Sequence, residues 1–170
     1  MAAASEIDDS EWMAWRGLQV MQRQLHAALE ERLQADASIS SPDFEVLSTL
    51  ASAEGNALRS GDMALLMGWE KSRLSHQVRR MESRGLIRRR ECETDLRGTW
   101  IELTDAGRDA VSAALPDHRA ALRSLFFDLL SDDEKAALAG VADKVIGAME
   151  PGACDLAERV MGSPEPNAAR

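Results

Sequence analysis

The sequence predicts a mainly α-helical fold that carries one small β-wing. Three observations support that prediction. Apolar residues recur every three to four positions through most of the 170 residues, the spacing that gives a helix one apolar face. Between Gly85 and Thr104 the period shortens to two on either side of a polar, turn-rich centre, which marks a hairpin. Ser, Thr, Pro and Gly punctuate the chain where the periodic runs start and stop.

Residues 8–36 read as one long N-terminal helix. Leu18, Met21, Leu25, Ala28/Leu29 and Leu33, with Trp15 before them, keep a helical spacing that only Gly17 interrupts. A stripe of that length needs more partner surface than a small domain supplies. The helix is therefore expected to be a dimerisation arm, packing on C-terminal helices that include those of a second copy. Ser40-Ser41-Pro42 restarts the chain, with Ser41 expected as N-cap and Pro42 as the first helical residue. That helix runs to about Ala53 and buries Val46, Leu47 and Leu50. Ser60 is expected to cap a short helix from Gly61 to Met67. Gly68 suits the left-handed conformation that ends a helix. A further helix runs from Lys71 to Arg84 and stops at Gly85.

Two strands follow, residues 86–92 and 98–103, with Glu93 to Gly98 as the tip. Thr104 is expected to cap a long helix that Pro116 kinks or splits and that continues through Leu129. Ser131-Asp132-Asp133-Glu134 has the form of a capping box and starts the last long helix, which stops before Pro151-Gly152. A short helical turn fits Asp155 to Met161, and residues 162–170 read as a disordered tail. The chain thus divides into an N-terminal dimerisation helix (8–36), a helix-turn-helix with its wing (41–104), C-terminal dimerisation helices (105–150) and a tail (151–170).

Composition excludes several classes. No apolar run approaches the ~20 residues that cross a bilayer, and the start lacks a basic region of the secretory type; the expected location is the cytoplasm. Two cysteines, Cys92 and Cys154, do not make a disulfide scaffold, and Cys92, with Glu91 and Glu93 beside it, reads as an inert thiol. His26, His76 and His118 are isolated, with no metal-ligand spacing. No Gly-rich phosphate loop is present, and no histidine has a nucleophile or carboxylate placed to make it a general base. The sequence therefore implies no enzyme, no metal and no cofactor.

The net charge of −9 is distributed unevenly. Residues 59–97 hold ten Lys and Arg against six Asp and Glu, whereas the rest of the chain holds ten against twenty-three. A phosphate backbone responds to the local field, because charges beyond about 8 Å are largely screened. Within the Lys71–Arg84 helix, Leu74, Val78 and Met81 fall on one side, leaving Ser72, His76, Arg79 and Ser83 on the other, flanked by Arg73, Ser75 and Arg80. Arg can donate to guanine with two hydrogen bonds, His can donate to an acceptor edge, and Ser lets the backbone approach. Arg97, beside Gly98 at the hairpin tip, suits a narrow minor groove. Arg88 and Arg90 share one strand face and, with Arg59, suit phosphate contacts.

Helix, short helix, glycine turn, helix and two-stranded wing is the order of a winged helix-turn-helix. The stretch Arg73-Leu-Ser-His-Gln-Val-Arg-Arg-Met-Glu-Ser-Arg-Gly-Leu-Ile87, with Asp95-Leu-Arg97-Gly98 and Leu103-Thr104-Asp-Ala-Gly107, resembles the MarR family of bacterial transcription regulators. The resemblance covers about residues 10–150. It implies a homodimer clasped by N- and C-terminal helices that binds a pseudo-palindromic operator in double-stranded DNA, usually as a repressor. Carried across by motif, it places recognition residues at Ser72, Arg73, Ser75, His76, Gln77 and Arg80, and the wing-tip arginine at Arg97.

The resemblance further implies release of DNA by a small aromatic or phenolic compound entering a cleft beside the first helix, where Trp12, Trp15, Arg16 and His26 lie. From the residues alone, Trp15 reads as dimer core and Arg16 as an ion-pair partner. Trp69 is expected to pack under the helix-turn-helix turn, and Trp100 to lie on the wing surface or to shield the hairpin. One alternative from another class stays open: a winged-helix module that binds protein without specific DNA recognition.

Overall fold

The computed structural model describes residues 6–37, 39–91 and 99–161. The readings that fall on Cys92, Arg97 and the other tip residues, and on the 162–170 tail, lie outside the described residues. Helix α1 spans Asp9–Ala37, and it starts from a reciprocal cap in which Asp8 and Glu11 each accept from the other's backbone N–H at 2.9 Å. Along its stripe, Leu33 is buried and Leu25, Ala28 and Leu29 are half-buried against the chain's own lobe. Trp12, Trp15, Leu18 and Met21, nearer the N-terminus, are exposed.

Helix α2 (Ser41–Ser52) begins one residue earlier than its sequence suggests. Ser40, rather than Ser41, is the cap. Its hydroxyl accepts from the Asp43 N–H and its own N–H donates to the Asp43 carboxylate, both at 3.3 Å. Either serine could cap on type alone, but only Ser40 has an acidic residue three positions on to close the box. Pro42 moves to the second helical position, where an N–H is still not needed.

A 3-10 turn at Glu54–Asn56 leads into β1 (Ala57–Arg59), a strand the sequence did not disclose. With β2 (Ile87–Glu91) and β3 (Thr99–Leu103) it makes a three-stranded antiparallel sheet in the order β1-β3-β2. The two expected wing strands, β2 and β3, do pair antiparallel, and β1 joins them as a third. Three residues are too few to show a period of two, and β1 forms only because β3 comes to lie beside it. Helix α3 (Ser60–Met67) follows directly. Ser60 is its first residue rather than its cap, since Arg59, still paired to Trp100 in the sheet, occupies the cap position. Gly68 does end α3 in the left-handed region (φ +60°), its N–H reaching the Leu65 carbonyl at 3.1 Å. Helix α4 covers Lys71–Ser83.

Helix α5 (Asp105–Leu125) is capped by Thr104 and runs through Pro116 without splitting. The carbonyl that Pro116 cannot bond belongs to exposed Ser112, so water can take it. The helix stops short of Leu129, at a 3-10 turn of Phe127–Leu129. Helix α6 (Asp132–Met149) starts at the expected box, with Ser131 and Glu134 bonded reciprocally at 2.8 and 3.3 Å. Helix α7 (Pro151–Met161) is a full helix rather than a turn from Asp155. It packs on α3 and α2, with Leu156 buried and Val160 against the core. Its larger apolar residues, Leu156, Val160 and Met161, all fall in its second half, so its first turn was not legible.

The core is formed where α2, α3, α4 and the sheet meet, around Leu47, Leu50, Met63, Met81, Ile87 and Ile101. His118 on α5 packs its ring against Phe44 at 4.3 Å, and its Nδ1 is buried with no hydrogen-bond partner among the described residues. Burial holds its pKa below the ordinary imidazole value. Above about pH 6.5 the ring is neutral both folded and unfolded; below it, the unfolded chain takes up the proton first. Thermal stability is thus expected to fall as pH drops from 7 towards 5, and His118→Gln to flatten that part of the curve. A Tm profile equally steep in the variant would assign the effect to other groups. Among the described residues, no helix is long and apolar enough to cross a membrane.

Candidate nucleic-acid interface

Helix α4 divides its residues as an amphipathic helix should. Leu74, Val78 and Met81 are buried, while Lys71, Ser72, Arg73, Ser75, His76, Arg79, Arg80 and Ser83 are exposed. The side chains of Lys71, Arg79 and Arg80 have no hydrogen-bond or ionic partner among the described residues. Their charges are available to a ligand. Arg73 lies with its guanidinium 4.0 Å from the ring centroid of Trp69, which is buried in the turn between α3 and α4 as expected. That contact restrains one of the most mobile side chains on the face. The Ser75 hydroxyl donates back to the Lys71 carbonyl at 2.8 Å, so Ser75 offers an outer ligand an oxygen acceptor and little bulk.

Gln77 is a correction. The family motif placed it among the recognition residues, but it is 6% exposed, and its amide donates to Asp43 Oδ1 at 2.6 Å. Its position three residues after Leu74 and four before Met81 sets it on the inner stripe, a signal the helical period already contained. Asp43 itself is buried, and Arg84 donates to its other oxygen at 2.6 Å. Burial pushes the Asp43 carboxyl up, but the hydrogen bonds from Arg84 and Ser40 outweigh it and leave the pKa below the ordinary aspartate value. The pairing with Asp43 was not legible from residue types, because Asp43 and Gln77 are 34 positions apart.

The sheet presents its cations in an ordered row. Arg88 and Arg90 share a face, and both donate to the carboxylate of Glu102 on β3, at 2.8 and 2.6 Å. Those bonds, Arg90's foremost, hold the Glu102 carboxyl below the usual range. Strand pairing puts Trp100 between Arg59 of β1 and Arg90 of β2. Both guanidinium groups lie over its ring, 5.6 and 5.7 Å from the centroid. Trp100 is thus half-buried under arginines on the wing surface. Arg89 points the other way and pairs with Glu82 at 2.6 Å. Arg88 and Arg90 remain largely exposed despite their partner, so an anion can still approach them.

Between α4 and the sheet, at the start of α3, lies a groove of about 560 Å³ lined by Arg59, Ser60, Lys71, Ser75, Arg79 and Arg89, with apolar Leu74, Val78 and Ile101. The site therefore has a protruding polar helix face flanked by basic side chains from the sheet. Trp12, Trp15 and Arg16 lie on the exposed first half of α1. His26 is about 15 Å further along the axis from Arg16, near Glu30 and Glu45. One chain does not bring the four together.

A sequence profile of the MarR family matches residues 39–99. The transcriptional repressor MprA of Escherichia coli K12 is 27% identical over 107 residues, which are 63% of this chain and 60% of that one. The match thus spans less than two thirds of the curated relative's length. AbsC, a MarR family transcriptional regulator from Streptomyces coelicolor, is similar in structure with a TM-score of 0.75 and 36% identity, over 90% of this chain and 98% of that one. Sco3205, another such regulator from the same organism and solved in complex with DNA, has a TM-score of 0.83 and 29% identity, over 92% of this chain and 98% of that one.

Proposed function

The chain belongs to the MarR family of winged-helix transcriptional regulators, and from that premise we propose that it acts in the bacterial cytoplasm as a homodimeric repressor. It binds a pseudo-palindromic operator in double-stranded DNA. The outer face of α4 reads bases in the major groove, Arg97 enters the minor groove, and Arg59, Arg88 and Arg90 position the backbone. The observation that carries this reading is the row of exposed, unpaired cations on α4 opposite its buried apolar stripe.

The exposed apolar residues support the dimer. Trp15, Leu18 and Met21 of α1, and Leu138, Val141, Val145 and Met149 of α6, are unburied in one chain, and apolar faces of that extent belong in an interface. The effector in this reading is a small aromatic or phenolic compound, with Trp12 and Trp15 as stacking surfaces and Arg16 and His26 as polar partners. Titration with an aromatic carboxylate is expected to quench tryptophan fluorescence and to release DNA; quenching unaltered in Trp12→Leu and Trp15→Leu would move the effector elsewhere.

Fluorescence anisotropy on DNA from directly upstream of the protein's own gene, beside a scrambled duplex, tests the main reading. Preference for the native duplex is expected, and equal affinity for both would favour the protein-binding alternative. Arg80→Ala or Arg73→Ala is expected to cost about 1–3 kcal/mol and to relax specificity at one base position. A loss equal on all sequences would make that side chain a phosphate contact instead.

A further inference from the structure

Apolar docking alone fixes a helix poorly. Leu74, Val78 and Met81 hold α4 to the core, but the attraction is non-directional and tolerates small rotations. A side-chain tip 5–6 Å from the axis moves about 2 Å when the helix turns by about 20°. That exceeds the window of a hydrogen bond. A base contact made by two bonds would be lost, whereas a contact to the phosphate field would persist.

Direction is supplied from beneath by one carboxylate. Asp43 Oδ1 accepts from Gln77 in the middle of α4, and Oδ2 accepts from Arg84 just past its end, each at 2.6 Å. Asp43 is held in turn by its reciprocal bonds with Ser40. The adjacent Ser41 N–H donates to Glu30 of α1 at 2.8 Å. The arm, the α2 start and the recognition helix are thus joined through one half-turn of backbone. The Asp43 side chain is 2% exposed, so it cannot itself touch DNA.

We propose that Asp43 is a positioning residue that fixes the pose of α4 and, through it, the discrimination between DNA sequences. The second half of this proposal rests on the DNA-binding reading above. Gln77, in this account, serves recognition from inside the lobe by carrying the position of Asp43 to the middle of the helix.

The test uses the full chain, Asp43→Asn and Gln77→Leu, each checked by circular dichroism at the assay temperature. The probes are the duplex that the wild-type protein selects from a random pool and a scrambled one. Both variants are expected to lose at least tenfold in the ratio of selected to scrambled affinity, with the salt dependence unchanged. A folded variant whose ratio stays within twofold of wild type overturns the proposal, as does a loss equal on both duplexes. If Asp43→Asn does not fold, Gln77→Leu decides, since it removes one bond and keeps the volume. Hydrogen exchange separates this proposal from the DNA reading. If the wild-type protein selects no sequence, that reading fails, and the pose of α4 is judged by its amides alone. At least tenfold faster exchange in α4 of Gln77→Leu, with α5 unchanged, supports the positioning role; equal exchange overturns it.

Discussion

Gly107→Ala is expected to cost roughly 3 kcal/mol of folding stability and to lower Tm by roughly 10 °C. A Cβ at this position would lie 2.0 Å from the Leu86 carbonyl oxygen, with the Leu86 carbonyl carbon and Leu103 Cδ2 each at 3.1 Å. The first of these atoms is backbone and is held from several directions. The Leu86 oxygen accepts from the Thr104 N–H at 3.2 Å and from the Thr104 hydroxyl at 2.9 Å. That hydroxyl also reaches the Gly85 carbonyl at 2.7 Å and accepts from the Gly107 N–H at 3.1 Å. Relief of the clash would have to shift the start of α5, its cap and the turn after α4 together. Gly61→Ala is the control. Nothing lies within 4 Å of a Cβ there, so it is expected to be neutral or to stabilise by up to about 1 kcal/mol. Thermal and urea unfolding of both variants checks the contrast. A Gly107→Ala protein within 2–3 °C of wild type would mean that α5 is free to move off the wing.

The same residues show what a sequence can and cannot disclose. Leu103-Thr104-Asp-Ala-Gly107 was recognisable as a motif, and Thr104 as a cap, because a cap is chemistry within four residues. Its glycine had no explanation until Leu86 was placed over it, and Leu86 is 21 positions away. Other local features were legible for the same reason: the Ser131–Glu134 box, the left-handed Gly68, and the buried stripe of Leu74, Val78 and Met81. Strand β1 was not, because its three residues acquire a strand's hydrogen bonds only from β3. The alternation of Arg88 and Arg90 put them on one face, but which carboxylate holds them depends on the pairing Arg88↔Glu102, a matter of register. At the candidate site, the exposed inventory of α4 was readable from its period. Residue type cannot distinguish a cation paired inside its own domain from one left for a ligand. Arg84, Arg88 and Arg89 are each engaged by a carboxylate of their own lobe, whereas Arg79 and Arg80 are not.

That division of the cations is expected to set the salt dependence of the proposed DNA binding. Arginines already neutralised by Asp43, Glu82 and Glu102 carry less net field to a phosphate than their number suggests. Lys71, Arg73, Arg79 and Arg80 form no ion pair with a carboxylate among the described residues, although Glu45 acts on Arg73 through its field, and two lobes of a dimer would bring about eight such charges to one duplex. Each neutralised phosphate contributes about −0.9 to the slope of log K against log salt. Affinity is therefore expected to fall roughly ten-thousandfold between 50 and 200 mM salt, despite the chain's net charge of −9. An acidic protein that binds another protein through this surface would respond far less, because apolar burial is insensitive to counterions. Anisotropy titrations at four salt concentrations distinguish the cases. A slope near −7 supports a phosphate-tracking α4 face, with Arg88 and Arg90 meeting the backbone while still paired to Glu102 and so releasing few counterions of their own. A slope steeper than about −10 would mean that DNA draws those arginines off Glu102. A slope shallower than about −3 would remove the α4 face from phosphate contact and favour a protein partner for this surface.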